Sequence, residues 1–229
     1  RGTKFPQDIF DNIFQNIEYH LRELGHGDVS VNAKMKSLTR IFYDLLLFDF
    51  TIFVNMEEHV VLVDEKDNPI GLMEKMEAHE KALLHRAFSV FIFNKKGELM
   101  LQQRAASKYH SPLLWTNTCC SHQRDGESNI EAGKRRLQEE MGFVTEIAEV
   151  FSFIYKAPFD NGLTEHELDH VMIGYYEAAP DVNKEEVTSY KWMTLMDVKK
   201  DIEQHPQIYT AWFKIIFKES YDRIINFKP

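Results

Sequence analysis

The chain has 229 residues, 27 Lys and Arg against 36 Asp and Glu, and a formal charge of −9. That balance excludes a nucleic-acid surface, which needs clustered cations, but leaves room for a small anion held by a few local ones. The 44% hydrophobic content suffices to fill a core. Its two cysteines, Cys119 and Cys120, are adjacent, so there is no disulfide framework, and a reducing, cytoplasmic setting is expected.

In chain order, residues 1–55 read differently from the rest. Ile9, Phe10, Ile13, Phe14, Ile17, Leu21 and Leu24 follow the helical period, "GHGD" breaks it, and Met35, Leu38, Ile41, Phe42 and Leu45 resume it. The spacing predicts a helical extension of two amphipathic helices. No secretory signal is expected. The most apolar stretch, Ile41–Val54, is cut by Asp44 and Asp49 and falls short of the about 20 apolar residues of a membrane span.

From Met56 onward the pattern is α/β, predicting a separate domain over residues 56–229. "EHVVLVDEKDNPIG" is a short apolar run closed by an Asn-Pro turn, and "AFSVFIFNKKGELMLQQRA" predicts a hairpin around "NKKG". "GESNIEAGKRRLQEEMGF" reads as a helix; Ser128 stands three residues before Glu131, a capping-box spacing, and Ile130, Leu137 and Met141 mark its buried side. "EVFSFIYKA", "ELDHVMIGYYEA" and "SYKWMTL" read as strands, followed by the helices "LMDVKKDIEQ" and "TAWFKIIFKESYDRII", the latter with Phe213, Ile216, Phe217 and Ile224 on one side.

Candidate metal ligands stand in separate places: His79 and His85, then His122 in "CCSH", then Glu165 and Glu167 in "TEHEL". Residues two apart on a strand share a face, so both carboxylates reach one site. Three imidazoles and two carboxylates suit Mn, Zn or Fe better than calcium. "HELDH", His166 to His170, matches the zincin motif, but that chemistry needs a helix and the flanking Asn161-Gly162 and β-formers predict a strand. The helix tail "RRLQEEMGF" resembles the second half of a Nudix box. Glu127, Glu139 and Glu140 fall on its glutamates, whereas Ser121 replaces its first glycine and Arg136 the glutamate with which hydrolases gather magnesium. Lys75, Arg104 and Lys108 flank these loops as cations for a diphosphate.

Together, "EKMEAH", "LLHRAFSVF", "LQQRAASK", "WTNTCCSH", "RRLQEEMG", "YKAPFDNGLTEHE" and "AWFKI", in this order, resemble the type I isopentenyl-diphosphate Δ-isomerases. The resemblance implies a Nudix-like mixed β-sheet sandwiched by helices and the interconversion of isopentenyl and dimethylallyl diphosphate. It implies Cys120, Glu167 and Tyr155 as catalytic residues, and Lys75, Arg104, Lys108, Ser121 and Trp212 as substrate-binding ones. His79, His85, His122, Glu165 and Glu167 would bind Mn2+ or Zn2+, and Glu140 the Mg2+ that accompanies the diphosphate. No flavin, nucleic acid or membrane partner is implied, and a monomer is expected. A Nudix pyrophosphohydrolase is the alternative, against which Ser121 and Arg136 speak. Residues 1–55 lie outside this match; "GHGDVSVNAKMKSLTRIFYD" resembles a fragment of the ubiquinol–cytochrome c chaperones, and Met56 is a plausible native start. Cys119 and Cys120 should face opposite sides of an extended segment, one packing as a small hydrophobe and one doing chemistry.

Overall fold

The computed structural model describes residues 58–226 except 109 and 160; the helix pair expected within residues 1–55 lies outside the described residues. In chain order the elements are β1 (His59–Val63), β2 (Pro69–Glu74), α1 (Lys75–Glu80), β3 (His85–Phe93), β4 (Glu98–Arg104), β5 (Trp115–Thr116), β6 (Cys119–Ser121), α2 (Asn129–Arg136), a π-helical turn (Leu137–Met141), β7 (Ile147–Pro158), β8 (Thr164–Tyr175), β9 (Val187–Thr194), α3 (Leu195–Gln204), a 3-10 turn (Pro206–Ile208) and α4 (Ala211–Ile225).

The strands form one mixed sheet with β3 as its axis. β3 runs parallel to β8, from His85↔Glu167 to Phe93↔Tyr175, and β7 lies antiparallel on the far edge of β8. The expected hairpin between β3 and β4 forms only at its turn. There Asn94 Oδ1 accepts the N–H groups of Lys96 and Glu98, each at 3.0 Å, and Gly97 takes a φ of 75°. Beyond the single rung Phe93↔Leu99 the strands part. The cause is competition for edges: β3 is already bordered by β8 and by β6, so β4 pairs along its length with β9 instead.

Buried polar side chains fill the parting. Thr118 Oγ1 donates to the Met100 carbonyl on β4 at 2.6 Å and accepts the Ile92 N–H of β3 at 2.9 Å. Asn117 Nδ2 donates to the Cys119 carbonyl at 2.7 Å. Side chains thus replace the missing rungs, which leaves these fully buried groups satisfied.

Both faces of the central strands are apolar, so helices cover both. Phe91, Leu99, Leu101, Val171 and Ile173 pack on Phe213, Ile216 and Phe217 of α4. Phe88, Val90, Ile92 and Met172 pack on Leu137 and Met141, which follow α2. Each such fully buried large side chain is worth about 1.5–3 kcal/mol relative to exposure. No helix among the described residues is long and apolar enough to cross a membrane.

α2 opens with the expected capping box: Ser128 Oγ accepts the Glu131 N–H at 3.3 Å, and the Glu131 carboxylate accepts the Ser128 N–H at 3.0 Å. It widens into the π-helical turn and stops at Gly142, whose φ is 73°. A Cβ there would stand 2.1 Å from the Asp181 carbonyl oxygen. Left-handed backbone and close approach both require glycine. Gly142→Ala is expected to cost about 2–4 kcal/mol in urea unfolding; an unchanged midpoint would mean that the Asp181 backbone is not in contact.

Candidate active site

On β8 the strand alternation turns Glu165 and Glu167 to one face. His166 and His170 turn to the other, where His166 Nδ1 bonds the Ala82 carbonyl at 2.9 Å and His170 Nδ1 meets Glu149 at 2.8 Å. "HELDH" is therefore no zincin helix. The parallel rung His85↔Glu167 brings His85 beside the carboxylates. His79 comes from the last turn of α1, whose start is capped by the Glu74 carboxylate accepting from the Met76 and Glu77 N–H groups at 2.9 and 2.8 Å. Ala82, at φ 51°, turns the chain from this helix toward β3. His122 follows β6.

These placements gather five ligand atoms, one each from His79, His85, His122, Glu165 and Glu167, all within 4.8 Å of one another. His79 Nδ1 lies 2.6 Å from the Lys75 carbonyl and His85 Nδ1 lies 2.9 Å from the Leu83 carbonyl. A carbonyl only accepts, so each Nδ1 carries the proton and each Nε2 lone pair points inward, the arrangement that orients metal-binding imidazoles. His79 Nε2, His85 Nε2 and Glu165 Oε2 are buried without a hydrogen-bond partner, a condition that buried polar atoms rarely tolerate. A divalent cation fits this donor set. Burial and the neighbouring His85 push His122 well below the usual imidazole range, keeping it a neutral donor. Burial and the Glu167 charge raise Glu165. Burial would raise Glu167 as well, but the neighbouring Glu165 and His85 and the Tyr155 hydroxyl hold it at about 2.

Beside the cluster lies a cavity of about 270 Å³, whose lining includes Cys120, Tyr155, Glu167 and Trp212. The rungs Val90↔Cys119 and Ser89↔Cys120 send the two thiols to opposite sides. Cys119 is fully buried against Phe88, Val90 and Leu137, Cys120 faces the cavity, and both are free. Burial pushes the Cys120 thiol up to about 12, against the pull of Arg104 and with the Glu140 and Glu167 charges adding. The Tyr155 hydroxyl donates to Glu167 Oε2 at 2.6 Å. The Arg104 guanidinium lies 5.1 Å from the centre of the Trp212 ring. His110, which the sequence reading missed, stacks on Phe159 at 5.2 Å and meets Trp212 edge-on at 5.5 Å. Burial, helped by Arg104, lowers it to about 4 and keeps it neutral.

Lys75, Lys108, Ser121, Arg136 and Glu140 line the same cavity, as do Glu58 and Glu186. The Nudix-like helix acts differently along its length. Glu127 bonds Arg135 at 2.7 Å and Glu139 is partly exposed, whereas Glu140, only 4% exposed, is carried into the cavity by the π-helical turn. Arg136 bonds Glu140 Oε1 through Nε at 2.9 Å, and Gln102 donates to Oε2 at 2.9 Å. The box position where a hydrolase keeps a carboxylate thus supplies a cation that neutralises Glu140.

The NUDIX domain model matches residues 83–213. A second model, Ubiquinol-cytochrome C chaperone, matches residues 1–48, which lie outside the described residues. Isopentenyl-diphosphate Delta-isomerase 2 of Photorhabdus laumondii subsp. laumondii is 52% identical over 161 residues, covering 70% of this chain and 91% of that protein. Isopentenyl-diphosphate Delta-isomerase of Serratia proteamaculans is 48% identical over 164 residues, covering 72% and 92%. Among solved structures, DR0079 from Deinococcus radiodurans superposes with a TM-score of 0.55 at 22% identity, over 65% of this chain and 90% of that one. The MutT protein from Methanosarcina mazei Go1 gives 0.51 at 20% identity, over 63% and 96%. The likeness to these two concerns the fold; by the domain match and the identity to the isomerases, the chain belongs to the Nudix family and, within it, to the isopentenyl-diphosphate Delta-isomerases.

Proposed function

We propose that this protein interconverts isopentenyl and dimethylallyl diphosphate, with Cys120 and Glu167 as its proton-transferring pair. The observation that carries the reading is their convergence on one buried cavity beside the His79, His85, His122, Glu165 and Glu167 cluster. The reaction adds a proton at the terminal alkene carbon and removes one from the methylene across the tertiary centre. It passes through a tertiary carbocation, so it needs an acid, a base and the exclusion of water. Tyr155 orients the Glu167 carboxylate through its 2.6 Å hydrogen bond. Trp212 offers a π-face to the cation. Lys75, Arg104, Lys108 and Ser121 hold the diphosphate and so fix the hydrocarbon against the pair.

The cluster would take Mn2+ or Zn2+, which suit mixed imidazole and carboxylate donors, and Glu140 would hold the Mg2+ that accompanies the diphosphate. When bound, these ions supply fixed positive charge that keeps Glu167 ionised and offsets the diphosphate. No flavin enters this reading, because residues lining the cavity supply both the acid and the base. Nothing in this chemistry calls for nucleic acid or a membrane. The reading includes a monomer resident in the cytoplasm, consistent with two free cysteines.

Incubation with isopentenyl diphosphate in D2O is expected to give dimethylallyl diphosphate carrying deuterium, with no phosphate or pyrophosphate released. Phosphate release without isomerisation would replace this reading by pyrophosphate hydrolysis. We propose further that residues 56–229 are the isomerase domain, supported by the compact unit Glu58–Pro229. A chain beginning at Met56 should give the same deuterated product; loss of fold would make residues 1–55 integral to it.

A further inference from the structure

Every cation assigned above to the diphosphate faces the same cavity, and three of the cavity's cations already hold a carboxylate of the chain: Lys75 holds Glu58 at 2.7 Å, and Lys108 and Arg136 share Glu186. Glu186 Oε2 accepts from Lys108 Nζ and lies 3.3 Å from Arg136 Nη2. Its side chain is 24% exposed, beside Lys108 at 23% and Arg136 at 16%. We propose that Glu186 is an internal counter-ion of the diphosphate subsite, occupying its cations in the free enzyme and yielding them to substrate, so that it sets how tightly the diphosphate end is held.

The backbone around Glu186 is held by its neighbours, whereas its carboxylate is held by the two cations. The Ala105 N–H donates to the Glu186 carbonyl at 2.9 Å, and the Glu186 N–H donates to Asn183 at 3.0 Å. Asn183 in turn donates to the Glu140 carbonyl at 2.9 Å, which ties this segment to the π-helical turn. Among the described residues, the carboxylate bonds Lys108 and Arg136. Arg136 does not need Glu186 for its position, because it bonds Glu140 Oε1 at 2.9 and 2.5 Å and Glu139 at 2.9 Å. The second carboxylate contact therefore adds charge balance and little placement. A diphosphate entering this subsite brings like charge against Glu186, a repulsion that weakens its binding unless the side chain swings away. The same carboxylate keeps Lys108 and Arg136 from gathering unrelated anions while the site is free.

The inference rests on the isomerase reading, and two assays separate their failures. Glu186→Gln keeps the shape and removes the charge. It is expected to lower KM for isopentenyl diphosphate about five- to ten-fold. By calorimetry it should lower the Kd of inorganic pyrophosphate with Mg2+ by about the same factor. Glu186→Asp, with the carboxylate drawn back, should fall between. Glu203→Gln, the same charge change at an exposed position of α3, should move neither value by more than about two-fold. A KM and Kd that rise in Glu186→Gln would make Glu186 a positioning residue for Lys108 and Arg136, and overturn the proposal. Unchanged affinity with a higher Mg2+ requirement would make it a metal ligand, and overturn it too. A wild-type protein that binds pyrophosphate but does not isomerise would remove the isomerase reading and leave the calorimetric comparison standing.

Discussion

Replacing Cys120 by alanine is expected to lower kcat/KM for isopentenyl diphosphate by about three orders of magnitude, the range for losing a positioned proton-transfer group. Metal content should not change, because Cys120 is not among the five clustered ligands. Cys119→Ala is the informative partner. That thiol is fully buried against Phe88, Val90 and Leu137. Its loss should cost about 1–2 kcal/mol of stability while the enzyme turns over. A halogenated or epoxide analogue of the substrate should alkylate Cys120 alone, read by peptide mass. If Cys119→Ala were the dead enzyme and Cys120→Ala the active one, the roles assigned through the rungs Val90↔Cys119 and Ser89↔Cys120 would be reversed.

Removing one ligand of the cluster should have a comparable effect by another route. His79→Ala and Glu165→Gln are each expected to lose both the bound transition metal and turnover, by about a hundred-fold or more in metal affinity. The inward Nε2 of His79 lies 3.3 Å from Glu165 Oε2, so the two atoms face the same point from α1 and β8. Elemental analysis of purified variants separates this from a folding defect, since thermal unfolding of the metal-free forms should stay close to that of metal-free wild type. Full metal content in both variants would remove the cluster from the metal's coordination.

What the sequence made legible follows its local physics. The strand reading of "HELDH" came from a turn signal before it and β-formers after it, and β8 runs through that stretch. The capping box at Ser128 and the apolar side of the closing helix are contained in a few neighbouring residues, and both are present. The failures are long-range. "NKKG" specifies its turn, but nothing near it says that β3 will spend its edges on β6 and β8. His110 has no periodic neighbours; its place depends on Phe159 and Trp212, about 50 and 100 residues away in sequence. Glu186 reads as one more acid in a polar loop, because Lys108 and Arg136 stand 78 and 50 residues before it.

Along one face of β8 the side chains run Glu165, Glu167, Asp169, Val171 and Ile173, so chemistry at one end and core at the other share a single alternation. A slip of one residue against β3 would present His166, Leu168, His170 and Met172 to that face instead. Apolar side chains would still reach the core, since Leu168 and Met172 are buried on the other face now, but the carboxylates would be gone from the cluster. In the reading proposed above, metal uptake would therefore report assembly: a molecule that loads its cation would have brought β8 into the right register against β3.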